Sequence, residues 1–253
     1  MTDSKSHATN AATDSHLKHF RRFEMQEVQP NWLLPIRKSG MARFNEIGLP
    51  TQKHEDWRFT NTTPITNRPF APVFESGDNV TAADLQDFAF AKQSGSRLVF
   101  VDGHFAPKLS SIAKLPAGVR VGSLAKALST DAAILEKHLG RYSQNVDNGF
   151  SALNQAFFLD GGFVYVPAGR VVEEPVQFIY VATATQSGAT IHPRNMVIAG
   201  ANSSVTVLES YVSLGGAAYF TNALTELVAG DNARLEYVKF QDEAADAFHI
   251  AAF

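Results

Sequence analysis

The residues able to transfer protons or hold metals are few and scattered. There are eight histidines, and His16 and His19 stand three apart, a spacing that puts two imidazoles on one helix face as a metal pair requires. No third ligand lies near them and they adjoin a polar tail, so they read as solvated surface. His192 precedes Pro193, and His249 lies in the last apolar stretch. A lone histidine among strands is more often a hydrogen-bonded structural residue than a ligand or shuttle. Glu173-Glu174 and Asp242-Glu243 invite an acid–base reading. Neighbours on a strand point to opposite faces, so neither pair can flank one bond as glycosidase carboxylates do. Both pairs read as solvated corners. Trp57 stands in the charged aromatic segment Lys53 to Thr60. It reads as a packed core ring, helped by nearby Phe59, in preference to an exposed anchor for a partner.

Several chemistries lack their signature altogether. The chain has no cysteine, which removes disulfides, thiolate ligands, cysteine nucleophiles and all-cysteine iron–sulfur ligation from these residues. It has no phosphate-cradling glycine loop, no dinucleotide fingerprint, no His-Glu-x-x-His and no Gly-x-Ser-x-Gly. Net charge is -3, with four basic residues (Arg170, Arg194, Arg234, Lys239) against nine acidic ones from Gly161 onward. That balance disfavours nucleic acid and anionic lipid as partners. No apolar run approaches a membrane span, and the polar N-terminus lacks a signal peptide's apolar stretch.

The elements that must position these groups are written most clearly between Pro193 and Gln241. Asn195 to Glu209 and Thr225 to Lys239 repeat one pattern, with Gly200 on Gly230, Asn202 on Asn232, Val205 on Leu235 and Val207 on Tyr237. Each copy is an apolar run, a Gly-x-Asn break and a period-2 alternation, which predicts a strand, a tight corner with positive φ supplied by the Gly/Asn pair, and a second strand. A repeat of this length points to stacked units that bury their faces against each other. Glu209 and Lys239 hold equivalent positions; stacked in register they would pair, weakly, at a surface.

Upstream the character differs. Residues 1–16 read as a disordered tail. Leu17, Phe20, Glu24 and Val28 predict one helix, and Asn31 to Ile47 a second, started by Pro35 and stopped by Gly48 and Pro50. Asp84 to Ala91 predicts a short helix, and Arg97 to Val101 a buried strand turning at Asp102-Gly103. Ser123 and Asp131 read as N-caps of two short helices. Phe150, Leu153, Phe157 and Phe158 mark another helix, closed by Asp160-Gly161-Gly162. From Gly162 onward only strand patterns remain. The division is therefore residues 17–160, mainly helical, and residues 161–253, strands.

Taken in order, these motifs resemble the SufB/SufD family of iron–sulfur cluster assembly proteins. They are Trp32 with Arg37, Ala42, Phe44 and Gly48-Leu49-Pro50; Glu55-Asp56-Trp57-Arg58-Phe59-Thr60; and Phe150-Ser151-Ala152-Leu153-Asn154-Gln155-Ala156-Phe157. Further on come Asp160 to Gly169, Glu174-Pro175-Val176, His192-Pro193-Arg194, Glu209-Ser210-Tyr211, Thr221-Asn222 and Gly230 to Leu235. The Glu-x-Trp-Arg-x-Thr segment and the lack of cysteine favour the SufD type over the SufB type. The resemblance implies an α+β fold, a helical N-terminal domain followed by a right-handed parallel β-helix. It implies a non-catalytic scaffold subunit in the cytoplasm, pairing with a SufB-like chain and served by a SufC-like ATPase, with the iron–sulfur cluster as cargo. No catalytic, cofactor-binding or metal-binding residue is assigned to this chain.

The sequence ends inside the apolar stretch Ile250-Ala251-Ala252-Phe253, where the resemblance implies more β-helix, a functional histidine and a C-terminal helical domain that binds the ATPase. The expectation is a fragment, or a product needing a partner over that end, with this chain alone aggregation-prone and not binding the ATPase. The competing reading is a β-helix or β-sandwich enzyme on carbohydrate or acyl substrates, using Glu173, Glu209 or His192 as acid or base. It predicts a cleft where such side chains converge. A third reading, a β-sandwich binding module, predicts antiparallel pairing.

Overall fold

A computed structural model describes residues 16–25, 29–75, 80–88, 90, 93–142, 148–185 and 187–253. The expected tail falls almost wholly outside the described residues. Six α-helices are named here: α1 (16–25), α2 (Leu33–Ile47), α3 (Thr63–Thr66), α4 (Leu124–Thr130), α5 (Ala132–His138) and α6 (Gly149–Phe157). Four strands precede Gly162: β1 (Ala71–Pro72), β2 (Ser96–Val101), β3 (His104–Phe105) and β4 (Arg120–Ser123). Eight follow: β5 (Gly162–Val166), β6 (Val176–Ala182), β7 (Ala189–Ile191), β8 (Arg194–Ala199), β9 (Ser204–Ser213), β10 (Tyr219–Ala229), β11 (Arg234–Asp242) and β12 (Phe248–Ala252).

The protein is mixed α/β, and its described residues form two sheets. One has the order β1-β7-β10-β8-β5-β4 with β12 beside β10, and the other has the order β11-β9-β6-β2-β3. Among the described residues, the pairings between these strands are parallel except for β2 with β3 and β4 with β5. That excludes a sandwich of antiparallel hairpins. The doubled sequence pattern is one register: Leu224 lies on Arg194 in the first sheet, and Leu235 on Val205 and Tyr237 on Val207 in the second.

At the corners the work divides between the two residue types. Asn202 and Asn232 take φ of 57° and 55°, the left-handed region Asn tolerates. Gly200 and Gly230 do not have positive φ, which corrects the expectation for them; they are small because the next layer is close. A Cβ on Gly200 would lie 2.6 Å from the Ala168 nitrogen, and one on Gly230 2.7 Å from that of Ala201. The Asn232 amide donates to Asn202 Oδ1 at 3.3 Å.

Alternation then decides the layers. Phe178, Tyr180, Val197, Val205, Val207 and Tyr211 fill the core between the sheets. Met196 and Ile198 face the other way, onto Leu33, Leu124, Leu128 and Leu135 of the helices. Phe20 and Phe23 of α1 pack with Met41 and Phe44 of α2 and with Leu153 and Phe157 of α6. Gly48, with φ of 64° and its N–H on the Phe44 carbonyl, ends α2. Asn148 caps α6, which is buried along its whole length.

Three local expectations change. Asp84 to Ala91 holds only a 3-10 turn over Ala83–Leu85, and residues 89 and 91 lie outside the described residues. Ser123 caps α4, but the Asp131 side chain makes no cap bond to α5. It accepts from the Thr130 hydroxyl and faces Arg120. Phe158 ends α6 as its C-cap and turns into the core.

Candidate functional site

The inward row of β9 runs Val205, Val207, Glu209, Tyr211, and the adjacent row of β11 runs Leu235, Tyr237, Lys239. Both rows start apolar and become polar toward the C-terminal ends of the strands. Glu209 is 1% exposed. Its Oε1 accepts from Asn195 Nδ2 at 2.7 Å and from the Tyr211 hydroxyl at 2.6 Å. Asn195 Nδ2 also reaches Thr225 Oγ1 at 3.1 Å, and its Oδ1 accepts from Gly162 N at 2.8 Å and from the Tyr180 hydroxyl. The rings of Phe100, Tyr180 and Tyr211 stack at successive 4.8 Å spacings. Burial pushes the Glu209 carboxyl up despite these donors and the nearby Lys239 charge. Such networks are strong only when every member is satisfied.

Lys239 lies opposite Glu209 in the register, with its ammonium 5.1 Å from the Tyr211 ring centroid. Burial pushes it down, while Glu209 and Glu243 act to raise it. Its Nζ meets His249 Nε2 at 2.5 Å, and His249 Nδ1 meets Glu243 Oε2 at 2.7 Å. Glu243 Oε1 accepts from the Tyr219 hydroxyl at 2.8 Å and from Thr221 Oγ1 at 3.1 Å. Tyr219 lines an open cleft with Asp102, Thr183, Thr185 and Glu75. Asp102 is held there by the Thr183 N–H at 2.8 Å and the Thr183 hydroxyl at 2.7 Å.

A second buried cluster joins the helices to the first sheet. Arg194 and Glu226 form an ion pair, and Glu226 Oε1 also takes the Gly140 N–H at 2.9 Å. Asn154 donates to the Pro193 and Asn222 carbonyls at 2.8 Å each and accepts from Arg194 Nη1 at 3.2 Å. Asn222 donates to the Phe150 carbonyl at 2.8 Å. The sequence motifs around Asn154, Arg194 and Asn222 thus seat α6 on β8 and β10. Asp160 does the same for α4: it accepts from the Ser123 hydroxyl and from the N–H groups of Ala125 and Gly161. Burial nevertheless pushes its carboxyl up to about 6.

The residues weighed from sequence separate. Glu173 and Glu174 are exposed, beside Lys114 and Val171. His192 is buried on the Phe157 ring, 5.5 Å away, bonded to Asn222, and pushed down to about 3 by burial. Glu209 faces the interior between the sheets. These three do not converge, so the cleft required by an enzyme using them is not formed by them. His16 corrects the reading as solvated surface: it packs edge-on against Phe44 at 5.2 Å, and burial pushes it down to about 4. Trp57 packs on Phe150 at 5.3 Å, as expected, but Phe59 is 91% exposed and gives it no support.

Two expectations need correcting in substance. Glu209 and Lys239 do stack in register, yet not as a surface pair: Glu209 is buried between the sheets, and the half-buried Lys239 directs its ammonium to His249. Glu243 is no solvated corner; its side chain is 5% exposed and bonds His249, itself 6% exposed. The sequence carried a signal for Glu209, which keeps the alternation phase of Val205 and Val207. Glu243 follows a strand end and had none. Among the described residues, no group of three or more His, Asp or Glu side chains is placed to hold a metal ion, and no helix is long and apolar enough to cross a membrane.

Comparison with known proteins covers both halves. Residues 12–178 match the family model of the SufBD protein N-terminal region, and residues 180–253 match that of the SUF system FeS cluster assembly SufBD core domain. A Synechocystis iron–sulfur cluster assembly SufBD family protein is 27% identical over 94% of this chain and 54% of its own length. The iron–sulfur cluster assembly protein SufD of Bacillus subtilis is 27% identical over 87% of the chain and 51% of its own length. That of Escherichia coli is 26% identical over 86% and 48%. The chain spans about half the length of these curated relatives.

Proposed function

The chain belongs to the SufBD family of iron–sulfur cluster assembly proteins, and from that premise we propose that it serves as a non-catalytic, SufD-like scaffold subunit. It pairs with a SufB-like chain in a complex that also contains a SufC-like ATPase, in the cytoplasm, with the nascent iron–sulfur cluster as cargo. No catalytic, cofactor or metal residue is assigned to it, and no ATPase contact is assigned to residues 1–253. Its strands from Gly161 onward are read as coils of a right-handed parallel β-helix, and residues 17–160 as a mainly helical N-terminal domain laid against them.

The observation that carries this reading is the in-register parallel stacking of β8 under β10 and of β9 under β11. It gives a stiff body whose polar side chains are spent on one another. Such a body suits holding an interface, a task that needs fixed geometry more than a reactive cleft. The SufD names of the Bacillus subtilis and Escherichia coli relatives support the choice of subunit type.

The test is co-expression with SufB-like and SufC-like chains, followed by size-exclusion chromatography with light scattering. Co-elution with the SufB-like chain at a defined stoichiometry is expected. Elution apart from it, with the chain itself folded by circular dichroism, overturns the reading.

A further inference from the structure

We propose that Lys239, His249 and Glu243 form a proton relay that links the interior carboxylate Glu209 to the cleft bordered by Asp102, Thr183 and Tyr219. With Lys239 protonated, the hydrogen-bond chain sets the His249 tautomer. Lys239 Nζ donates to His249 Nε2, so the His249 proton sits on Nδ1 and points at Glu243 Oε2. A neutral imidazole held between a donor and an acceptor is the arrangement that passes a proton through by exchanging its two N–H positions.

The charge count supplies the reason for a mobile proton. Glu209 and Glu243, whose side chains are nearly inaccessible, stand on either side of Lys239, and His249 joins Lys239 to Glu243. With both carboxylates ionised and His249 neutral, one half-buried cation serves two carboxylates largely removed from water, which is unfavourable. One added proton neutralises the group. Every other group facing Glu209 is neutral: Tyr180 from β6, Asn195 from β8, Tyr211 from its own strand, Thr225 from β10 and Tyr237 from β11. From the β12 side come His249 and, in the preceding connection, Glu243. Asp160 acts on Tyr180 only at longer range. The shifts agree, since burial raises Glu209 and lowers Lys239.

Unloading moves one proton and breaks no other bond. Lys239 gives a proton to His249 Nε2 while His249 Nδ1 gives its own to Glu243. The Glu243 carboxyl then turns its proton toward Tyr219, whose hydroxyl, a donor to Glu243 Oε1 at rest, turns to accept it and passes its own proton to water in the cleft. Neutral Lys239 then swings to its register partner and takes the proton of Glu209. The reverse order loads Glu209.

Infrared difference spectroscopy of the whole chain, with glutamate isotope-labelled, tests this. A protonated-carboxyl stretch that titrates with pH is expected, lost in Glu209→Gln. Lys239→Met should move its midpoint up by about one pH unit, because a stabilising cation is gone. His249→Gln and Tyr219→Phe should slow its exchange into deuterated water about tenfold or more, with thermal midpoints unchanged. If His249→Gln fails to fold, Tyr219→Phe carries the rate test alone. The proposal is overturned if Glu209 is ionised at every pH at which the chain is folded. Equal exchange rates in the folded variants and the parent overturn it as well.

Discussion

The Arg194 guanidinium and the Glu226 carboxylate, 0% and 2% exposed, meet on neighbouring strands of the first sheet at its seam with the helices. The pair is sealed by Asn154 on one side and the Gly140 N–H on the other. Two charges in such a place are stabilising mainly relative to one charge left alone.

Glu226→Leu should therefore destabilise the fold by about 3–5 kcal/mol, because it removes the buried carboxylate that balances the Arg194 charge. Replacing both partners, Arg194→Met with Glu226→Leu, should recover most of that loss. Urea unfolding of the two single variants and the double variant reads the coupling directly.

The corner glycines predict a contrast by position. Gly200→Ala drives a Cβ to 2.6 Å from the Ala168 nitrogen, in backbone that cannot yield without separating two strands. A loss of about 1–3 kcal/mol is expected. Gly216→Ala meets nothing within 4 Å and has no positive φ. It should be neutral or stabilising by up to about 1 kcal/mol through the unfolded chain. Equal denaturation midpoints for the two variants would contradict the close stacking.

The acid limb of stability has two opposing parts. His192 and His16 titrate in the folded state at about 3 and about 4, below their ordinary 6.5. The unfolded chain binds those protons first, so stability falls as pH drops from 6.5 toward these values. Asp160 has its folded value raised from 3.8 to about 6. The folded state takes that proton first, so stability rises as pH falls from about 6 to about 4, by on the order of 2–3 kcal/mol. His192→Gln should flatten the acid loss and Asp160→Asn should steepen it. Thermal midpoints recorded between pH 7 and pH 4 give both slopes, and slopes of the same sign would refute the assignment.

Within the Glu55 to Thr60 segment, the two rings should separate in effect. Trp57→Ala removes a ring packed on Phe150 and should cost about 2 kcal/mol or more, while Phe59→Ala, at 91% exposure, should stay within about 0.5 kcal/mol. A loss of binding to a SufB-like chain in Phe59→Ala, with stability intact, would mark that ring as a contact.

The sequence by itself determined the strand periodicity, the thirty-residue offset and the family. All of these rest on local rules: alternation, caps, corner residues and motif order. The Asn202 and Asn232 corners were legible because left-handed backbone restricts residue type wherever it occurs. Tertiary structure decided which face each alternating row presents and what covers it. Glu209 shares a phase with Val207, but the phase names a face without saying whether a second sheet lies over it. Glu243 and His249 came inside because β12 returns beside β10, a pairing between residues far apart in the chain. Gly200 gave the same lesson in reverse: its type was evident, and the reason for it was a backbone from the next layer.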